Sequence, residues 1–411
     1  MISRRRLLLA SARCLPFAAG NVLWGSLAAA GPRAVPWPLD WLTGSQADEY
    51  VRTARKARYW TSVALAGSSC GACHKPGDDL AKPHEHQKGL VRCQLCAQEC
   101  TIGTGQRGRC RTRINVGGEL RSLVYGRPAA VHLDPIEKKP FYHFLPGASA
   151  LSFGTAGCPL RCKFCQNWEL SQSTPGDLEA PFTAPDAVAR AASARHAPVI
   201  AFTYNEPTVF TEYLLDVAAE AQPLGIRSVM VSCGFATEAP LADICRSLAA
   251  IKIDLKGFSD EFYRTVCGAD LKPVLRSITQ VARSGKHLEL VNLVVPTLND
   301  SDKHLQELAA WVAGDLGPDV PVHFTRFHPD YQLQNLPPTP VSTLERARDV
   351  AMAKGIRYAY VGNVPGHAGN HTYCPSCKRI VIRRDNFFVL EMNLKNGKCG
   401  FCGFPIAGVW T

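Results

Sequence analysis

The stretch GCPLRCKFCQN, residues 157–167, sets three cysteines within eight residues in the spacing C-x3-C-x2-C. Thiolates this close can converge on one soft metal centre, and thiolate selects zinc or iron–sulfur clusters. A structural zinc takes four protein ligands, whereas three leave a coordination position open for chemistry. A [4Fe–4S] cluster usually takes four cysteines, so three on one loop leave one iron free for a small molecule. A zinc knuckle borrowing a fourth ligand is the competing reading, but this spacing is unlike the paired C-x2-C of zinc sites. Cys158, Cys162 and Cys165 are therefore read as [4Fe–4S] ligands and as the catalytic centre.

Outward from the triplet, apolar β-type runs alternate with helical patterns, the signature of βα units and a parallel sheet. The expected strands are 150–156, 198–204, 228–234, 250–256, 288–296, 322–328 and 358–363, with helices over 185–195, 207–223, 274–284 and 302–314. Six or so βα repeats predict an incomplete barrel, whose functional groups stand at the C-terminal ends of the strands. The triplet, Glu206, Gly234, Asp254 and His328 all fall there.

With GCPLRCKFCQNWELSQ (157–172), DPIEKKPFYHFLPG (134–147), FTYNEPT (202–208), the terminal CPSC and CGFCG and the closing GVW, the chain resembles the radical S-adenosylmethionine (SAM) superfamily from about Cys93 onward. It looks closest to the radical SAM member of the AmmeMemoRadiSam group, relatives of pyruvate formate-lyase activating enzymes. The resemblance implies an α/β fold: a partial (β/α)6 radical SAM barrel with a small cysteine-rich N-terminal module and a C-terminal zinc-ribbon or rubredoxin-like domain. It also implies an oxidoreductase-type enzyme whose open iron is chelated by the amino and carboxylate groups of SAM. One electron, from a donor such as flavodoxin or ferredoxin, then releases a 5′-deoxyadenosyl radical that abstracts hydrogen from a protein or small-molecule substrate. The cofactor carries the hard chemistry, and the protein supplies aim and water exclusion. Within this class a glycyl-radical-enzyme activase is the alternative.

The same resemblance puts Glu206 and Pro207 at the contact with the SAM amine, with Tyr204 and Asn205 in place of a glycine pair. Asp254 and Lys256 match a polar pair near SAM and substrate, and Ser232 and Gly234 a backbone approach to the methionine moiety. Each has a plainer reading: a helix N-terminal acid for Glu206, a mutual ion pair for Asp254 and Lys256, and a strand end for Gly234. His328 and Asn292 are weaker candidates.

Three further cysteine sets follow. Cys374-x2-Cys377 and Cys399-x2-Cys402, separated by twenty-one residues, form a four-thiolate tetrahedral pattern. Zinc is the default there, and a single rubredoxin-like iron the alternative. Cys93, Cys96, Cys100 and Cys110 suggest one more metal, zinc or an auxiliary cluster. Cys70, Cys73 and His74 match C-x-x-C-H, the attachment pattern of c-type haem, with His84 and His86 nearby as ligands to haem or zinc. Cys14, Cys233, Cys245 and Cys267 read as signal, core or loop cysteines.

The N-terminus, SRRRLLLASARCLPFAAGNVLWGSLAAAG, has the basic start, apolar stretch and small residues of a signal peptide. Arg4 and Arg5 suggest the twin-arginine type and export to the periplasm, against the reducing cytoplasm that open clusters favour. Residues 14–30 are uncharged but too short for a stable membrane span. The resulting division is a signal at 1–30, a linker with a short helix near 48–60 within 31–69, a cysteine-rich module at 70–130, the core at 140–366 and a four-cysteine domain at 367–411. The net charge of +11 is read as scattered arginines beside metal-type cysteines rather than as a nucleic-acid face. An RNA-binding or RNA-modifying protein and an exported haem or iron–sulfur redox carrier are the readings from other classes.

Overall fold

The computed structural model describes residues 44–63 and 89–411. The signal segment with Cys14, the C-x-x-C-H motif at Cys70, Cys73 and His74, and His84 and His86 lie outside the described residues. The helix expected over 48–60 stands earlier, at Gly44–Thr53, and the chain then runs extended at Arg55–Lys56 and Trp60–Ser62. Those two pieces pair with Arg121–Ser122 and with Val91–Cys93. A short helix has a costly nucleus, so available strand partners win these residues.

Each of the seven expected apolar runs contains a strand, and one more precedes them. The strands are β1 (Ala130–Pro135), β2 (Ser149–Gly154), β3 (Val199–Phe202), β4 (Arg227–Ser232), β5 (Ala250–Asp254), β6 (His287–Val294), β7 (Val322–Arg326) and β8 (Ala359–Gly362). Neighbours follow chain order; β1 is antiparallel to β2, and every later pair is parallel. The sequence hid β1 because Val131 and Leu133 face solvent, so it presents no buried apolar run. β1 and β8 form opposite edges with no ladder between them among the described residues, so the strands build an open sheet.

Sequential order gives crossovers of one hand, and the helices collect on one face. They are α1 (Pro185–Ala194), α2 (Thr211–Ala221), α3 (Glu238–Ser247), α4 (Leu271–Arg283), α5 (Asp302–Trp311) and α6 (Val341–Ala353). Local chemistry sets their ends and faces. Pro185 opens α1 at the position where its missing N–H costs nothing, and the Ser301 side chain caps α5 by accepting from the His304 N–H. In α4, Leu271, Val274, Ile278 and Val281 recur on one face and are buried. Residues such as Phe153, Phe202, Met230, Ile251, Ile253 and Phe324 meet these helices in the main core.

The opposite face of the sheet is built of small residues at its lower end: Ala150, Val199, Ala201, Val229 and Ala250. That leaves room for the segment after β1, whose Ile136, Phe141 and Phe144 are fully buried there, at about 2–3 kcal/mol per phenylalanine. Glu289 on β6 holds the same segment. Its carboxylate accepts the backbone N–H groups of Tyr142 (3.0 Å) and His143 (2.8 Å) and faces His287 Nε2 (2.9 Å) and His323 Nε2 (2.7 Å). Burial opposes its charge, but those two imidazoles keep its carboxyl well below the usual range.

The C-terminal region adds a three-stranded sheet, Thr372–Tyr373, Ile380–Asp385 and Phe388–Met392. Buried Arg384 fastens it to the same segment, donating to the Tyr142 carbonyl (2.7 Å) and Thr372 Oγ1 (2.8 Å) and standing 3.6 Å from Glu137. The segment thus closes the lower end of the sheet and leaves the upper end open. No helix among the described residues is long and apolar enough to cross a membrane.

Candidate active site at the C-terminal end of the sheet

The triplet loop leaves β2 and is held from three sides. Gly157 adopts φ +88°, and a Cβ there would come within 2.4 Å of the Cys110 carbonyl, so the cysteine-rich module presses directly on the loop. Asn205 donates to the Gly157 carbonyl at 2.7 Å and accepts from the Thr155 N–H at 3.2 Å. The segment after β5 pairs with the loop like a strand, Arg161 N–H to the Cys267 carbonyl (2.8 Å) and Lys163 N–H to the Val266 carbonyl (2.9 Å). Phe164 is buried and stacks on Phe262 with ring centres 6.1 Å apart.

All three thiols line a cavity of about 300 Å³ at the C-terminal ends of the strands. Their environments differ. Burial pushes the Cys158 and Cys165 thiols up. The Cys162 thiol is held down, first by a hydrogen bond from Cys267, against burial and with help from Lys256. The three sulfurs do not form a group within 4.8 Å of one another. A single tetrahedral ion with metal–sulfur bonds of about 2.3 Å needs sulfurs about 3.8 Å apart. The triplet sulfurs thus stand farther apart than those of a closed tetrahedral site.

Of the residues assigned to cofactor binding, Asn205, Glu206, Asp254 and Lys256 line the cavity. Pro207 and Gly234 do not: Pro207 is buried at the start of the turn Pro207–Phe210. Gly234 adopts φ +69°, and a Cβ would sit 2.8 Å from Ile253 Cγ2, so its smallness serves packing and backbone conformation. His328 is exposed, and Asn292 is buried with its amide on the Leu255 carbonyl at 2.8 Å; neither reaches the cavity wall.

Glu206 has work inside the protein. Its Oε1 accepts from Thr208 N–H (3.1 Å), the Thr208 hydroxyl and Ser232 Oγ (2.8 Å), and its Oε2 accepts from Cys233 N–H (2.7 Å). The carboxylate therefore joins the end of β3 to the end of β4. Asp254 sits between two lysines: Lys252 Nζ donates to Oδ1, and Lys256 Nζ stands 3.3 Å from Oδ2. Burial alone would raise its pKa, but the two ammonium groups bring it below the usual carboxylate range. For Lys256, burial disfavours the charge, yet Asp254 and the Cys162, Cys267 and Cys233 thiols outweigh it and hold its pKa well above normal.

Sequence reasoning gave no site role to Lys139, Lys252 and Cys233, and named Tyr204 only as replacing a glycine, yet all four stand on this wall. Lys252 had a signal: it stands two residues before Asp254 in an apolar strand, and alternate residues share a face. Cys233, read as a core cysteine, is buried and also lines the cavity. Lys139 lies within the motif DPIEKKPFYHFLPG, but only the fold brings it from the segment under the sheet to this wall.

The other cysteine sets diverge. Cys374, Cys377, Cys399 and Cys402 bring their sulfurs within 4.8 Å of one another and could hold a metal ion. The pairs Cys374–Cys402 and Cys377–Cys399 stand 3.6 and 3.8 Å apart, near the tetrahedral edge of about 3.8 Å. Cys93, Cys96, Cys100 and Cys110 lie near one another without forming such a group. Cys93 packs in the core of its own module, Cys96 and Cys110 in the main core, and Cys100 Sγ accepts from the Arg109 N–H at 3.4 Å.

Comparison with known proteins agrees with the site. The family model described as the Radical SAM superfamily matches residues 153–312. An uncharacterized protein of Methanocaldococcus jannaschii is 40% identical over 318 residues, covering 77% of this chain and 95% of that protein. Distant likenesses among solved structures include a domain of a pyruvate-formate lyase-activating enzyme from Bacteroides vulgatus, with TM-score 0.36, 17% identity, and coverage of 40% of this chain and 98% of that one. A radical SAM methyltransferase from Sphaerobacter thermophilus gives TM-score 0.41 and 15% identity, covering 55% of this chain and 71% of that one. With the triplet, the sheet it crowns and the family match in agreement, the chain belongs to the radical SAM superfamily.

Proposed function

We propose that this protein is a radical SAM enzyme in which Cys158, Cys162 and Cys165 hold a [4Fe–4S] cluster and SAM occupies the adjoining cavity. The observation that carries this is the placement of all three cysteines of the C-x3-C-x2-C loop on a cavity at the C-terminal end of the sheet. When bound, cluster and SAM supply a one-electron cleavage of the sulfonium and a 5′-deoxyadenosyl radical that takes a hydrogen atom from substrate.

The chain's own residues do the rest. Asn205 and the Val266–Cys267 segment fix the loop that carries the thiols. Lys256 stands with its ammonium 5.8 Å from the Phe164 ring centre, close enough to the triplet to offset thiolate charge. Asp254 holds Lys252 and Lys256 in place and offers a carboxylate to the polar end of SAM. Glu206 works as a positioning residue, keeping the Cys233 backbone turned toward the site. Phe164, Val231, Val291 and Leu293 give the cavity an apolar side that keeps water from a reactive radical.

In the same proposal the sheet is an incomplete barrel, the C-terminal quartet is a structural zinc site, and the chain is exported by the twin-arginine route. The test is anaerobic reconstitution with iron, sulfide and dithionite. Wild type should gain about four irons at the triplet and form 5′-deoxyadenosine from SAM. Cys162→Ala should lose both, and cleavage at the wild-type rate by that variant would end the assignment.

A further inference from the structure

We propose that the floor of the cavity is a seat for an oxyanion on the substrate, a carboxylate or phosphate, held by Lys139 and Lys252. The proposal rests on the radical SAM reading above and narrows it to substrates with an anionic group. Two lysines reach this floor from unrelated parts of the chain, Lys139 from the segment after β1 and Lys252 from the middle of β5. Their side chains are only 3% and 4% exposed.

The protein supplies few acceptors for them. Lys139 Nζ donates to Asp134 Oδ2 at 2.7 Å and to the Tyr204 hydroxyl at 3.2 Å, and Lys252 Nζ donates to Asp254 Oδ1. Each ammonium carries three N–H donors, so these three contacts leave half of the donors for whatever fills the cavity. The counter-charge is shared out as well. Asp134 also pairs with Lys138 at 2.8 Å, Asp254 also faces Lys256, and Glu206 is taken up by Thr208, Ser232 and Cys233. Charges buried without full pairing are costly, and a ligand oxyanion between the two ammonium groups removes that cost. Ammonium groups on flexible stems bind such a group as point charges.

The contacts of this pair are with Asp134, Tyr204 and Asp254, and none is with a triplet cysteine. Lys256 is the lysine on the triplet side, acted on by Cys162 and standing over Phe164.

The test is calorimetric titration of the anaerobically reconstituted holoprotein with inorganic phosphate and, separately, with acetate, each with and without saturating SAM. One saturable site should persist with SAM present, and the tighter of the two probes identifies the head group. Lys139→Met and Lys252→Met should each weaken it by roughly tenfold or more, as expected for loss of a charge-assisted contact. Lys139→Arg should keep most of the affinity, and Lys303→Met, which removes an exposed charge elsewhere, should leave it unchanged. No saturable binding, wild-type affinity in both methionine variants, or a site that SAM itself abolishes would overturn the proposal. 5′-Deoxyadenosine formation on the same wild-type preparation is a separate readout. Its absence would fail the radical SAM reading while leaving the anion result to stand or fall on its own.

Discussion

Glu206→Ala separates two roles for one of the two acids on the cavity wall, the other being Asp254. The carboxylate accepts from Thr208 N–H, Thr208 Oγ1, Ser232 Oγ and Cys233 N–H, and the residue is 2% exposed. The two hydroxyls can turn to other acceptors, but the two backbone N–H groups cannot. Each orphaned buried donor costs about 1–3 kcal/mol, and the void left by the side chain adds to that. Cavity water reaching the vacated space recovers part of it, which gives an expected loss of about 3–4 kcal/mol. With a urea slope of roughly 4 kcal/mol per molar, above that of small domains, the unfolding midpoint should fall by about 0.7–1 M. Glu206→Gln keeps one acceptor oxygen and turns an NH2 toward a donor, so it should fall between wild type and Ala. The assay is urea unfolding of reconstituted protein under anaerobic conditions, with SAM affinity measured in parallel. An unchanged midpoint with weakened SAM binding would refute the reasoning, since the acid would then serve the ligand alone.

Other perturbations follow from the same packing. Gly234→Ala should cost about 2–3 kcal/mol, from φ +69° and a Cβ 2.8 Å from Ile253 Cγ2, whereas Gly225→Ala, with φ +71° and open space, should cost only about 1 kcal/mol; thermal melts of the two variants make the comparison. The Asp134 carboxyl is held at about 2, with burial opposing and Lys138 and Lys139 prevailing. The unfolded chain therefore binds more protons than the folded one between about pH 4 and pH 2, so stability falls as pH drops through that window. Asp134→Asn should flatten this acid limb, read as unfolding free energy against pH. Cys377→Ser should remove the zinc proposed at the C-terminal quartet, about one ion per chain, and leave the iron content unchanged, as metal analysis of purified protein will show.

Much of the architecture was legible because parallel strands buried on both faces carry long apolar runs; 198–204 and 250–256 needed no partner to be recognised. β1 escaped because among the described residues its only sheet neighbour is β2 and its Val131 and Leu133 face water. The helix at 48–60 was misplaced because strand partners for Arg55–Lys56 and Trp60–Ser62 lie far along the chain. Pro207 and Gly234 belong to motifs that sit beside the site, and only the folded chain shows that they stand off the cavity wall.

The sequence by itself determined the triplet, its place after a strand, and the tetrahedral quartet at the C-terminus, because ligand type and short-range spacing are local properties. It also determined that Asp254 and Lys256 share a strand end. Only the tertiary structure decided that Glu206 is spent on Thr208, Ser232 and Cys233, and that Lys139 crosses under the sheet to join Lys252 in the cavity. The reason is physical. A side chain's free donors, acceptors and net charge depend on which distant groups burial brings against it, and no spacing along the chain encodes that.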